Sequence, residues 1–238
     1  MPYDERYTPY IQQAGLLPWI QLVSWSTPNL NAPLVTSLAD RWRPETHSFH
    51  LRTGEMTVTL EDDALITGPP IDGRPLCMSI DSDGWREQMI ALTGMNAPWM
   101  WLKVLTIFDS GWSWGSATLA YLYRQLDDAC CRITCSAGIG GNMLMLSVVW
   151  QPYGTDDRLG YTEEFSINPM CLRDRDLWLM WCPLICNWAA EFHSPHRMYR
   201  QFGLFQPHQP EWVDTDKALH RLDRRKQQKI KDWDKHHA

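Results

Sequence analysis

The sequence predicts a mainly helical α+β fold with a small β-hairpin, built as a single helical domain. Three observations carry this. Most apolar stretches repeat at helical spacing, as Ala117, Leu119, Ala120, Leu122, Tyr123 and Leu126 do. Two short runs alternate instead, with Phe49 and Leu51 in one and Met56, Val58 and Leu60 in the other. No regular strand–helix–strand alternation runs along the chain, which argues against a doubly wound parallel sheet.

Taken in order, Pro9 to Leu17 and Asn31 to Asp40 read as short helices. Thr46 to Leu51 and Met56 to Leu60 read as strands joined by Arg52-Thr53-Gly54-Glu55, where Gly54 supplies the positive φ of a tight turn. Thr59-Leu60-Glu61-Asp62 fits a capping box, and Glu61, Asp62 and Asp63 suit the positive end of a helix dipole. That helix stops at Gly68, because Pro69-Pro70 cannot continue it, and Asp72-Gly73 marks a turn. Trp85 to Leu92 is expected to be helical, as is Ser113 to Ala129, with Ser113 or Ser116 as cap. Asn142 to Gln151 reads as a buried segment, helix rather than strand from its Met and Leu content. Pro183 to Phe192 is expected to be helical. A further helix starts at Ser194-Pro195 and ends at Gly203, and the last runs from about Asp216 to Trp233.

Composition narrows the function classes. A chain of 238 residues with 44% hydrophobic and 21% charged residues is globular rather than disordered. Fourteen tryptophans must mostly be core, with any surplus on the surface available as interface anchors. The start, Met1-Pro2-Tyr3-Asp4-Glu5, has no basic or apolar leader region, so no signal peptide is expected. With seven cysteines, an odd number, this predicts free thiols in a reducing compartment. The apolar runs Met143 to Trp150 and Leu177 to Ala190 are too short to cross a membrane, and Pro183 interrupts the second. Residues 217–238 hold eight Lys and Arg against three Asp, whereas the chain as a whole carries −6, so an acidic body precedes a basic tail. In that tail, Arg224, Arg225, Lys226, Lys229 and Lys231 form a patch that reads as a nuclear-localisation or weak nucleic-acid-binding segment, or as a solvated helix face. An acidic body does not favour nucleic-acid binding through the whole surface.

The most specific spelling lies between Ser37 and Leu76. It contains Arg41-Trp42-Arg43-Pro44-Glu45-Thr46-His47, then Phe49 and His50, then Gly54 to Asp62. Trp112 to Leu126, with Trp114, Tyr123 and Arg124, supplies a second block, and Ile139-Gly140-Gly141 follows it. Pro183-Leu184-Ile185, Glu191-Phe192-His193 and Arg197 to Gly203, with Arg200 and Phe202, supply a third. His220, Leu222 to Arg225 and Asp232-Trp233 close the series. Together these resemble the plant mobile domain family, also described as aminotransferase-like, which includes the Maintenance-of-Meristems-like proteins. On that resemblance, residues 1–30 are an N-terminal extension, 31–212 the domain core and 213–238 a basic C-terminal helix. The stretch from Gly73 to Trp112 is shorter than the family pattern, and the pattern usually runs on past Ala238. The resemblance implies a nuclear, non-enzymatic protein–protein interaction module linked to transcriptional regulation, transposable-element silencing and meristem maintenance, with a plant serine/threonine phosphatase as a partner. A transposon-derived remnant without function is the other reading it allows.

The residues themselves give little sign of catalysis. A pyridoxal-phosphate site needs a Schiff-base lysine, an acid and a phosphate cup. Lysines occur at 103, 217, 226, 229, 231 and 235, with no phosphate loop near Lys103, so no cofactor is expected. Cys182-x3-Cys186 with His193 and His196 offers zinc-type ligands at a non-standard spacing and reads as packing, so no metal is expected. The acidic pairs Asp62-Asp63, Asp127-Asp128, Asp156-Asp157 and Glu163-Glu164 keep a metal-dependent nuclease or hydrolase open as an alternative. In the first block, Arg41, Arg43, Glu45 and His47 are either an interaction site or a structural salt-bridge and turn cluster.

Overall fold

The computed structural model describes residues 8–13, 31–79, 84, 87, 90, 91, 111–131, 172–206, 230 and 232–237. These form an α+β arrangement. Its elements begin with helices α1 (Thr8–Gln13) and α2 (Ala32–Ala39) and strands β1 (Trp42–Arg43), β2 (Ser48–Leu51) and β3 (Gly54–Met56). Helices α3 (Leu60–Thr67) and α4 (Trp114–Cys130) follow, then a 3-10 turn at Arg175–Leu177. Strands β4 (Cys182–Cys186) and β5 (Ala189–His193), a 3-10 segment Pro195–Phe202 and helix α5 (Trp233–His237) complete the order.

The first half follows its local signals. Asn31 caps α2 by accepting from the Leu34 amide at 3.1 Å. The capping box forms: the Asp62 amide donates to Thr59 Oγ1 at 3.3 Å, and the Thr59 amide donates back to Asp62 Oδ2 at 2.8 Å. Gly68 ends α3 in the left-handed conformation, φ 70. The hairpin pairs Phe49 with Met56, His50 with Glu55 and Leu51 with Gly54. Strand β1, which the sequence pattern does not announce, adds an antiparallel edge through Trp42–Phe49 and Arg43–Ser48. The predicted second strand is cut short because Thr59 must leave the ladder to cap α3.

Helix α4 is the axis. It packs against β4, β5, α3, β1 and α2. Its apolar positions Ala117, Leu119, Ala120, Leu122, Tyr123 and Leu126 are all buried, at the predicted spacing. The Ser113 hydroxyl does not cap the helix. It donates to the Ile71 carbonyl and lies 2.7 Å from Ser116 Oγ, tying α4 to the segment that follows α3. Gly115 permits that approach, since a Cβ there would stand 2.9 Å from Asp63 Oδ2.

The expected helix from Pro183 to Phe192 is instead the antiparallel hairpin β4–β5, paired from Cys182–His193 to Cys186–Ala189. Asn187 turns it at φ 53, a conformation asparagine tolerates, and donates its amide to the Leu76 carbonyl at 2.6 Å. Along β5 every second residue is buried, and two of those inward positions are Glu191 and His193. Polar residues facing inward erase the alternation that marks a strand. The helix expected from Ser194 is a 3-10 segment, kinked at Met198, and ends at Gly203 as predicted. Ile230 and Asp232 are not helical; Asp232 bridges Ser79 and α5 begins at Trp233, so the last helix does not run to Trp233 as expected. The helices expected at Trp85 to Leu92 and at the C-terminal side of Pro9 to Leu17 are described only in part. Asn142 to Gln151 and the rest of Asp216 to Trp233 lie outside the described residues.

Candidate functional site

Three distant segments meet behind the first block. The Arg43–Ser48 connection brings His47, α4 brings Arg124 and Asp127, and β5 brings Glu191. All are sealed: exposures are 4% for His47, 4% for Arg124, 1% for Asp127 and 0% for Glu191. Arg124 Nη2 pairs with Glu191 Oε1 in a very short contact. His47 Nε2 lies 2.9 Å from Glu191 Oε2. The Trp42 indole N–H donates to Asp127 Oδ1 at 2.6 Å. His47 stacks on Tyr123 with ring centres 5.1 Å apart, and the Tyr123 hydroxyl donates to the Val58 carbonyl at 2.6 Å. Two cations thus face two anions, and burial of the set is tolerable because each charge has a partner.

The protonation of His47 follows from its neighbours. Nδ1 lies 3.2 Å from the Phe192 carbonyl, and Nε2 faces the Glu191 carboxylate. Both are acceptors, so the imidazolium, which donates from both nitrogens, fits best. Burial opposes that charge, but Glu191, Asp127 and the Phe192 carbonyl outweigh it and raise the His47 pKa above its ordinary 6.5. Asp127 is pushed up to about 6 by burial and by Glu191, against the pull of His47, Trp42 and Arg124. His47 itself sits at φ 49, strained for a residue with a side chain. Its carbonyl accepts from Thr57 Oγ1 at 2.6 Å, which helps hold it there.

One nitrogen of His47 and carboxylate oxygens of Asp127 and Glu191 lie within 4.8 Å of one another, a spacing a divalent cation would accept. These donors are already committed. A dication would have to sit beside the Arg124 guanidinium and draw Asp127 from the Trp42 indole. The residues therefore fit their own ion pairs and do not fit a metal. Of the sequence's zinc-type residues, Cys182 and His193 are paired across β4–β5, but among the described residues no third ligand joins them. Cys182 and Cys186 lie at opposite ends of β4, and His193 Nδ1 is bonded to the Met180 carbonyl at 2.9 Å. Burial lowers the His193 pKa to about 4, a neutral ring that donates from Nδ1. Among the described residues, Cys77, Cys130, Cys131, Cys182 and Cys186 are not in disulfides.

The first block divides in two. Trp42, His47 and Phe49 are core; Trp42 packs on Phe49 at 4.9 Å and on Tyr123 at 5.4 Å. Arg41, Arg43 and Glu45 are exposed. Arg41 donates to the Ser37 carbonyl at 2.9 Å, and Arg43 to the Trp42 carbonyl at 3.1 Å. Pro44 and Trp114 are half-buried. Asp62 serves the cap, and burial raises the pKa of both Glu61 and Asp62. Arg200 is exposed and Phe202 half-buried on the 3-10 segment. The basic patch Arg224, Arg225, Lys226, Lys229 and Lys231 lies outside the described residues. The sequence offers Asp127 only as half of an acidic pair and Glu191 only as part of the third block, and does not join either to His47 and Arg124. Their one sequence signal is an acid placed among apolar neighbours, as Glu191 is after Trp188-Ala189-Ala190.

A buried ionic centre in an α+β frame, reached by an Arg-Trp-Arg-Pro-Glu-Thr-His loop, defines a domain class rather than a reaction. A family model for the plant mobile domain matches residues 19–103 and 141–237, and the chain belongs to that family. The match leaves out residues 104–140, so the second sequence block, with α4, stands outside it. Among curated proteins of Arabidopsis thaliana, the chain is similar to a serine/threonine-protein phosphatase 7 long form homolog, at 26% identity over 88% of this chain and 24% of that protein. It is 27% identical to Protein MAINTENANCE OF MERISTEMS over 82% of this chain and 61% of that one. Protein MAIN-LIKE 2 is 30% identical over 42% of this chain and 24% of its own length. The chain therefore spans about a quarter of two of these relatives and three-fifths of the third. The first of these alignments runs over 332 positions, more than the 238 residues of this chain, so that relative carries extra residues inside the shared region. No solved structure matches significantly. Among the described residues, no helix is long and apolar enough to cross a membrane.

Proposed function

We propose that this chain is a non-enzymatic protein–protein interaction module that works in the nucleus. A contrast in exposure carries the reading. The charged constellation of His47, Arg124, Asp127 and Glu191 is sealed and neutralises itself, so a substrate has no access to it. Large apolar side chains stand outside: Leu179, Met180 and Trp181 are consecutive, at 42%, 43% and 52% exposure. Trp181 stacks on Phe192 with ring centres 5.5 Å apart, which makes a firm aromatic anchor of the kind interfaces use. Membership in the plant mobile domain family supports a role in transcriptional regulation, transposable-element silencing and meristem maintenance. A plant serine/threonine phosphatase is the partner class that the phosphatase 7 relative's name suggests.

The test mixes the purified chain with a purified plant phosphatase of that class and reads complex formation by gel filtration. A complex that is lost in Trp181→Asp supports the reading; no complex with the wild-type chain removes the phosphatase. A fluorescent fusion should concentrate in plant nuclei and disperse when Arg224, Arg225 and Lys226 become alanine. An even distribution of the unaltered fusion would sink the nuclear assignment.

The runner-up reading, a metal-dependent nuclease or hydrolase, would need His47, Asp127 and Glu191 to give up their present partners for a cation. It requires magnesium- or manganese-dependent cleavage of nucleic acid that Asp127→Asn removes while the variant stays folded. That result would displace the non-enzymatic reading.

A further inference from the structure

The free edge of the three-stranded sheet carries an inference that rests on the interaction-module reading and gives it a partner chemistry. Strand β3 is the last strand of its sheet, since the order is β1-β2-β3. Its outer side faces the 3-10 segment Pro195–Phe202, and between them lies a groove of about 470 Å³. Three side chains of that segment act on the groove in different ways.

Gln201 mimics a neighbouring strand. Its Oε1 accepts from the Thr57 amide at 3.2 Å and its Nε2 donates to the Thr57 carbonyl at 2.8 Å. That reciprocal pair is what a strand residue would offer, so the amide of Gln201 stands in for one rung of a ladder. Backbone groups in an antiparallel strand turn outward at every second residue. Since Thr57 points its N–H and C=O to this side, so does Glu55, two residues earlier, at the wall of the groove. The next rung is open to an incoming extended chain.

Arg197 neutralises Glu55, an acid in the groove wall that would repel an anion. Its Nε and Nη2 donate to Glu55 Oε2 and Oε1 at 3.0 and 2.9 Å, a bidentate pair, and Ser48 Oγ donates to Oε2 at 3.1 Å. His50 adds a ring nitrogen 3.8 Å from Glu55 Oε1. The Asp62 carboxylate beside Gln201 already accepts from Thr59 and from Gln201 Nε2. Arg200 lines the groove, is exposed, and makes no ion pair among the described residues. Arg52 stands exposed on the adjoining turn. Met56 supplies a half-buried apolar wall. A sheet edge with a basic rim, on a chain whose net charge is −6, selects its ligand by charge.

We propose that this groove receives an extended segment of a partner protein, paired along the β3 edge at Glu55, with an acidic side chain of that segment held by Arg200. The acid is an oxyanion, either a carboxylate or a phosphate on a phosphorylated residue, and the guanidinium accepts both.

The experiment measures fluorescence anisotropy of short β-prone synthetic peptides against the full 238-residue chain. One peptide carries glutamate at its centre, one phosphoserine and one glutamine; a fourth is the better acidic peptide with alternate backbone amides methylated. The acidic peptides should bind at least about tenfold more tightly than the glutamine peptide, the worth of one charge-assisted contact. Arg200→Glu should remove that preference and Arg200→Lys should retain part of it. Both leave the thermal melt unchanged, because the side chain is exposed. Methylation should abolish binding. The proposal falls if no acidic peptide binds, if glutamine binds equally, or if Arg200→Glu binds as the wild type does. Indifference to methylation removes the strand pairing. Single-stranded DNA that binds as tightly as the peptides would make this a general phosphate site and overturn the peptide assignment. The two readings separate cleanly. Arg200→Glu that keeps the Trp181-dependent phosphatase complex but binds no peptide confirms the groove as a second surface. A wild-type chain that binds the peptides but no phosphatase upholds the groove and sinks that partner.

Discussion

Among the described residues, two arginine–glutamate pairs use the same chemistry to opposite ends. Arg124–Glu191 is sealed at the junction of α4 and β5, with side-chain exposures of 4% and 0%. Arg197–Glu55 links the 3-10 segment to β3 at 15% and 20%. In the interior, water cannot replace a lost partner, so the pair fixes which segments must meet. At the groove, water can, so the pair is cheap to break and its value lies in leaving Arg200 as the charge a ligand meets. Burial, not residue type, separates the architectural ion pair from the one beside a binding surface.

The largest break in this contrast is Glu191→Gln. It removes the carboxylate that both Arg124 and the His47 imidazolium face in the interior. A loss of about 3–5 kcal/mol is expected in urea unfolding. A loss below about 1 kcal/mol would mean that water reaches the centre and that the sealed description is wrong.

Next is the dependence on pH. Asp63 is fully buried; burial pushes its pKa up to about 8, with Thr67 Oγ1 at 3.0 Å from Oδ1 only partly offsetting it. An acid whose folded pKa is raised binds more protons folded than unfolded, so stability is greatest below its unfolded pKa of 3.8 and falls as pH rises to about 8. The steepest fall from one such group is on the order of 1.4 kcal/mol per pH unit. His47, also raised, adds a loss above 6.5. His193 works the other way: with a folded pKa near 4 it costs stability as pH drops from 6.5 towards 4. Thermal melts should therefore decline from mildly acidic to alkaline pH, and Asp63→Asn should flatten the decline without moving the His47 part above pH 6.5. A wild-type melt that climbs steadily to pH 8 would contradict the neutral assignment of Asp63.

These groups also show what the sequence could and could not announce. The elements ruled by local chemistry were legible: the Thr59 cap, the Gly54 hairpin, the Gly68 and Gly203 stops and the apolar stripe of α4. The hairpin β4–β5 was not, because Glu191 and His193 occupy its inward positions and hide the period of two behind a polar pattern. The centre was half legible. Trp42, His47, Tyr123 and Arg124 stand out by their spelling, but their convergence with Asp127 and Glu191 depends on contacts between distant segments, Trp42 with Asp127 and both His47 and Arg124 with Glu191, which no local rule encodes. Nor does residue type tell a buried arginine from an exposed one: Arg124 and Arg200 both lie in family blocks, and one is core while the other is surface.

Trp42→Phe makes a narrower cut. It keeps an aromatic ring against Phe49 and Tyr123 and removes the N–H that Asp127 Oδ1 accepts at 2.6 Å. The cost should be about 1–3 kcal/mol, that of one buried acceptor left wanting plus a small cavity. A neutral outcome would show that Asp127 finds its hydrogen bond elsewhere.

The smallest effect belongs to the outer pair and is the sharpest comparison. A double-mutant cycle of Arg197→Gln and Glu55→Gln should give a coupling of about 1 kcal/mol at low salt, because both side chains are partly solvated. Raising the ionic strength to about 1 M shrinks the screening length to about 3 Å and should remove most of it. The same cycle on Arg124 and Glu191 should scarcely respond to salt, since no ion can enter a site where Glu191 is 0% exposed. If the two cycles answered salt alike, burial could not be what distinguishes them, and the groove would have to be regarded as part of the same rigid core that α4 organises.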